Sequence, residues 1–195
     1  MTTRPRNPRG EGSKLREQLL AATAEVLNEV GDADRASVRA IARRAGVSPT
    51  ALYLQFPDRD SLVAAAVDAG FATFNAELMT AATIDGSPIE RLMAMGHAYL
   101  AFSEQRPALY AILFSTRRTL VDKDPDVDRD QALEGLIALL RELNPSLDYD
   151  PACELAILIW SSLHGYAMLR TVRQHLEWPD SESFLRRLLT AYAPS

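Results

Sequence analysis

A chain of 195 residues with 47% apolar content and a formal charge of −5 can bury a real core, as one large domain or two small ones. Its single cysteine, Cys153, excludes an internal disulfide framework and a cysteine-based zinc finger, and fits a reducing cytoplasm. No apolar run reads as a membrane span, because stretch 155–169 is broken by Ser161, Ser162 and His164, and the basic, polar N-terminus lacks the hydrophobic segment of a secretory signal.

The chain begins with a cationic arm, residues 1–12, carrying Arg4, Arg6 and Arg9 among prolines and glycines. Such a stretch is either an unstructured terminus or an arm that follows a DNA backbone or enters a minor groove. From Ser13 nearly everything reads as helix. Leu15, Leu19, Ala22, Val26 and Val30 form one stripe that Gly31 ends. A short helix over 37–45 follows, then one from Ser48, then a long one capped by Asp58 and reaching Ala82. Pro88 starts a fifth helix to about Gln105, and Pro107 opens a sixth over 108–115. The acidic stretch 119–130 reads as a loop, and three more helices are expected over 130–143, 151–173 and 181–192. There is no alternating strand pattern and no repeat, so the expected fold is all-α.

The most informative stretch is 37–56. Val38, Ile41, Ala42 and Ala45 make one apolar face. Ser37 suits a helix N-cap, because its hydroxyl accepts from an orphan backbone N–H. Gly46 supplies the left-handed stop, and Val47 fills the angle between helices. Ser48 caps the next helix, with Pro49 at its first position. Two short helices joined this way form a helix-turn-helix unit. At about 100° per residue, Leu52 and Phe56 face inward, and Thr50, Ala51 and Leu54 face outward. Thr50 can bond a base edge, and Ala51 or Leu54 can touch a thymine methyl. Tyr53 and Gln55, on the flanks, are placed for phosphates, which fix register without reading sequence. A helical hairpin buried in a bundle would account for Val38, Ile41, Leu52 and Phe56. It would not account for Arg39, Arg43 and Arg44 crowding one short helix.

The net charge first argues against a nucleic-acid partner, but its distribution does not. Residues 1–60 sum to +2 and residues 61–195 to −7. Charges farther than roughly 8 Å away are screened at physiological salt, so the local field decides.

The run Ile41-Ala42, Gly46-Val47-Ser48, Leu52-Tyr53 and Phe56-Pro57-Asp58-Arg59-Asp60-Ser61-Leu62 resembles the N-terminal domain of the tetracycline-repressor (TetR) family of regulators. The resemblance is carried by residues 13–65, and the remainder agrees in length and helical character. It implies a three-helix DNA-binding domain over 13–60, whose third helix enters the major groove, and a helical ligand-sensing and dimerisation domain over 61–195. It also implies DNA contacts at Ser37, Thr50, Tyr53, Gln55 and Arg59. Arg39, Ser48, Pro49, Ala51 and Leu54 complete the expected DNA surface. Gln55 stands where the family often has His or Tyr, Arg59 where Lys is commoner, and Leu54 where a larger or polar residue is frequent.

The C-terminal part needs a core of its own. Its aromatics, with His164 and Met168, give a candidate ligand site of Tyr99, Phe102, Tyr110, Phe114, Trp160, His164 and Met168. Aromatic stripes also simply fill cores, and His97 or His164 can be packing residues as well as ligand contacts. The run Trp160-Ser-Ser-Leu-His164-Gly165 resembles a sensor domain, found in a subset of TetR-like proteins, that is marked by Trp and then His-Gly. Family resemblance further implies a homodimer through the last two long helices, and one short recognition helix reads too few base pairs to act alone.

The three histidines show no metal-ligand spacing, and there is no Gly-rich phosphate loop or Gly-x-Ser-x-Gly motif. The alternating aspartates 122–130 resemble a calcium loop in spacing but lack its central glycine and closing glutamate. The expected function is a cytoplasmic, non-enzymatic, cofactor-free regulator. It would bind double-stranded DNA and release a palindromic operator when a small, mostly apolar molecule binds, with no membrane partner. The alternatives are a helical small-molecule-binding protein without a DNA role, or an enzyme on a helical bundle.

Overall fold

In a computed structural model, which describes residues 11–114 and 131–192, the chain is all-α. Its helices are α1 (Glu11–Val30), α2 (Val38–Arg44), α3 (Pro49–Tyr53), α4 (Arg59–Ala82), α5 (Pro88–Gln105), α6 (Pro107–Leu113), α7 (Gln131–Leu143), α8 (Tyr149–Val172) and α9 (Ser181–Tyr192), with a 3-10 turn at Ala33–Arg35. Arg4, Arg6 and Arg9 of the arm and the acidic stretch 119–130 lie outside the described residues. Helix α1 begins at Glu11, two residues before the expected start, and α8 likewise begins at Tyr149. Asp148 takes the N-cap position there, in extended backbone.

The helix ends follow their local chemistry. Ser87 and Glu90 form a reciprocal capping box ahead of Pro88 in α5. The Asp58 carboxylate accepts the Ser61 amide N–H at 2.7 Å at the head of α4. Those backbone N–H groups stabilise the ionised form and hold the Asp58 carboxyl below its usual range.

The helices group into two compact units, each with its own core. The first takes in residues 11–70 and 108–114, and the second 71–107 and 131–192. The division between the compact units falls inside α4, after Gly70. It also assigns α6 to the first unit. The reason is visible in the packing. The Asn28 side chain of α1 accepts the Leu109 amide at 3.1 Å, satisfying an orphan N–H at the start of α6. A Cβ added at Gly70 would meet Leu113 of α6 at 3.1 Å, so α4 and α6 lie close together there.

In the second unit α5 packs on α7, α8 and α9, and α7 and α9 each pack on α8. Its core includes Leu92, Tyr99, Phe102, Ile137, Leu140, Ile159 and Leu185. Tyr166 stacks on Phe184 with ring centroids 3.9 Å apart, and its hydroxyl donates to the Pro179 carbonyl at 2.6 Å.

Helices α4 and α8 are each 24 residues and, by length and composition alone, long and apolar enough to cross a membrane. The interruptions at Ser161, Ser162 and His164 therefore do not exclude a span on those grounds. Half of the apolar window of α4 is buried inside the protein, as is a third of that of α8.

Candidate nucleic-acid interface and apolar site

In the first unit the turn between α2 and α3 is built as its residue types require. The Ser37 hydroxyl accepts the Ala40 amide N–H at 3.2 Å, and Ser48 does the same for Ala51 at 3.2 Å. At the end of α2 the Val47 N–H donates to the Ala42 carbonyl at 2.9 Å and the Gly46 N–H to Arg43 at 3.2 Å. This is the Schellman pattern, and it places Gly46 at φ +67°. Only glycine adopts that conformation without a steric penalty.

Leu52 and Phe56 are buried with Ile41, Ala42 and Ala45. Tyr53 and Leu54 are 53% and 69% exposed. Thr50, Ser48 and Pro49 are also exposed, while Ala51 and Gln55 are half-buried. The Arg16 guanidinium lies 4.4 Å from the Phe56 ring centroid. The Gln18 amide donates to the Ala45 carbonyl at 2.6 Å, tying α1 to the end of α2.

The cations divide into two groups. Arg44 is paired internally with Glu25, at 2.7 Å, and with Glu29. Those hydrogen bonds, Glu25 first, raise its pKa. Arg59 is also engaged internally, with the Ala36 and Ala33 carbonyls and with Asp60. Arg39 and Arg43 are exposed and make no ion pair among the described residues. Ser37 is exposed at the head of α2. The solvent-facing side of α3 is thus small and neutral, and the preceding helix α2 carries the exposed Arg39 and Arg43.

In the second unit the expected ligand-site residues are only partly brought together. Tyr99 and Phe102 of α5 each meet Phe74 of α4 edge-to-face, at centroid distances of 5.3 and 5.1 Å. The Tyr99 hydroxyl lies 3.2 Å from His164 Nδ1, and burial lowers the pKa of His164. Tyr110 and Phe114 belong to the first unit, where their rings pack at 4.9 Å. Trp160 lies on an exposed side of α8 at 38% exposure, and Met168 is half-buried. The sequence reading missed Phe74. The signal was there, because Phe71, Phe74 and Leu78 share one stripe of α4 and all are buried.

Helix α8 also carries an exposed apolar stripe. Leu158, Leu169 and Val172 are 49, 47 and 68% exposed. At about 100° per residue they align with Ser161 and Gly165. A Cβ added at Gly165 would meet nothing within 4 Å. No group of three or more His, Cys, Asp or Glu side chains is placed to hold a metal ion among the described residues.

Comparison with known proteins agrees with this geometry. Residues 19–66 match the family described as bacterial regulatory proteins, tetR family, and residues 92–192 match the tetracyclin repressor-like C-terminal domain. A curated relative, the nucleoid occlusion factor SlmA of Vibrio campbellii, is 28% identical over 129 residues. That match takes in 66% of this chain and 65%, just under two thirds, of the relative. Two solved structures from Rhodococcus sp. RHA1 share the fold. One, of a protein of unknown function, has a TM-score of 0.73 at 23% identity, covering 96% of this chain and 100% of that one. The other, of a TetR-like transcriptional regulator, has a TM-score of 0.68 at 23% identity, covering 97% and 100%. The chain belongs to the tetR family of bacterial regulatory proteins, with a helix-turn-helix first unit and a tetracyclin repressor-like helical C-terminal domain.

Proposed function

We propose that the protein is a homodimeric, ligand-responsive transcription regulator, acting as a repressor that leaves a palindromic operator when a small, mostly apolar effector binds. One observation carries the reading. Helix α3 buries Leu52 and Phe56 while leaving Thr50, Tyr53 and Leu54 to solvent beside Arg39 and Arg43. A core helix would not present its long side chains outward, and a small neutral face flanked by cations suits a major groove. Thr50, Ala51 and Leu54 read bases. Ser37, Ser48, Pro49, Tyr53, Gln55 and Arg39 contact the backbone.

Two copies pair through α8 and α9. The exposed stripe of Leu158, Leu169 and Val172 is an apolar surface that needs cover, and Gly165 lets a second helix approach closely. Half-sites one DNA turn apart, roughly 34–36 Å, then match the two recognition helices. The effector site lies around Phe74, Tyr99, Phe102 and His164, with Trp160 and His164-Gly165 as the sensor-type signature. An effector that prefers a mismatched spacing lowers DNA affinity by linkage. Helix α4, which contributes residues to both units, carries the change. The protein acts without catalysis. The test is a footprint on the DNA flanking its own gene. A protected two-fold-symmetric site supports the reading, and uniform or absent protection by the folded protein contradicts it.

A further inference from the structure

Arg59 stands where a phosphate contact is expected, at the first residue of α4, but its side chain is committed elsewhere. Its Nε donates to the Ala36 carbonyl at 2.8 Å, one Nη donates to the Ala33 carbonyl, and the other donates to Asp60 at 2.6 Å. All three guanidinium nitrogens are engaged. Ala36 is fully buried, and Ala33 also accepts the Ala36 N–H that closes the 3-10 turn at 3.3 Å. Both carbonyls lie within the four residues before Ser37, the cap of α2. The Arg59–Ala36 bond joins residues 23 apart, and everything between them is the helix-turn-helix. Arg59 therefore closes the loop that carries α3, whose five residues are too few to hold a helix alone.

We infer that Arg59 is a positioning residue. It fixes the angle at which the chain enters α2 by bracing two carbonyls with one planar fork, and so sets the presentation of α3. The phosphate-facing charge of the surface falls instead to Arg39 and Arg43. The DNA consequence rests on the function proposed above, while the bracing itself does not. A lysine keeps the charge but is a compact point donor that lacks the planar fork needed to span both carbonyls.

Two variants of the full-length protein, Arg59→Lys and Arg59→Gln, separate the roles in two measurements. Without DNA, hydrogen exchange of the backbone amides of residues 33–45 should accelerate about tenfold in both. With sheared genomic duplex across a salt series, both should bind about tenfold more weakly, with the salt slope of the parent unchanged, because no released counterion is lost. Arg39→Gln serves as the reference and should lower that slope by roughly 0.9 per subunit. A slope lowered by that amount in Arg59→Gln, or parental affinity in Arg59→Lys, overturns the inference, as does unaltered exchange in Arg59→Gln. If the parent protein binds no DNA, the proposed function fails and the exchange measurement alone decides the role of Arg59.

Discussion

The Tyr99 hydroxyl and His164 Nδ1 lie 3.2 Å apart, so a polar pair of the candidate effector site joins α5 to α8. Burial holds the His164 pKa below its ordinary 6.5. The folded protein therefore keeps the imidazole neutral where the unfolded chain takes up a proton. Stability from this group is fully present above about pH 6.5 and declines as pH falls toward the folded-state value. In thermal unfolding between about pH 5 and 7.5, His164→Gln should flatten part of the acid-side decline. A pH profile identical to that of the parent would show that His164 is not held neutral.

Gly165 tests the proposed dimer. Within the chain a side chain there meets nothing, and replacing a mid-helix glycine gains roughly 0.5–1 kcal/mol of helix stability. Gly165→Arg should thus leave the protomer at least as stable while blocking a second copy. We expect self-association weakened by about 3 kcal/mol or more, over a hundredfold, read by sedimentation velocity. Trp160→Ala, on a different side of α8, should alter dimer stability or effector response. A Gly165→Arg dimer of parental affinity would remove α8 from the interface.

The reading face divides into two kinds of contact. Tyr53→Ala should weaken binding across all sequences, by about 1 kcal/mol, because a phosphate contact carries no base information. Thr50→Ala should instead relax preference at a base position. Competition against a randomised duplex pool distinguishes them, and a base-specific change from Tyr53→Ala would reverse the assignment.

The turn itself is sensitive at Gly46, whose φ of +67° disfavours any side chain with a Cβ. Gly46→Ala should cost about 1–2 kcal/mol, seen as a lower denaturant midpoint at unchanged slope. Leu52→Ala should cost more, about 2–5 kcal/mol, since Leu52 is fully buried.

The helix-turn-helix was legible because each of its parts has a residue type tied to one backbone state. Ser37 and Ser48 cap, Pro49 starts, Gly46 stops, and the Leu52–Phe56 spacing names the inner face. Nothing comparable marks long-range partners. Where Tyr110 packs depends on where α6 docks, and the Asn28–Leu109 bond that docks it joins residues 81 apart. The same limit applies to Arg44 and Arg59. Composition shows cations near the reading helix, but only the fold shows that Glu25, Glu29 and two backbone carbonyls already engage them.

On the function proposed here, the α3 surface binds duplex DNA through its phosphates and grooves. The most direct measurement is binding of the full-length protein to sheared genomic DNA over a salt series from about 50 to 200 mM. Binding should be tight at low salt and fall steeply, with log affinity linear in log salt and a slope set by roughly 0.9 per phosphate contacted. Folded, dimeric protein that shows no binding at the lowest salt would contradict it.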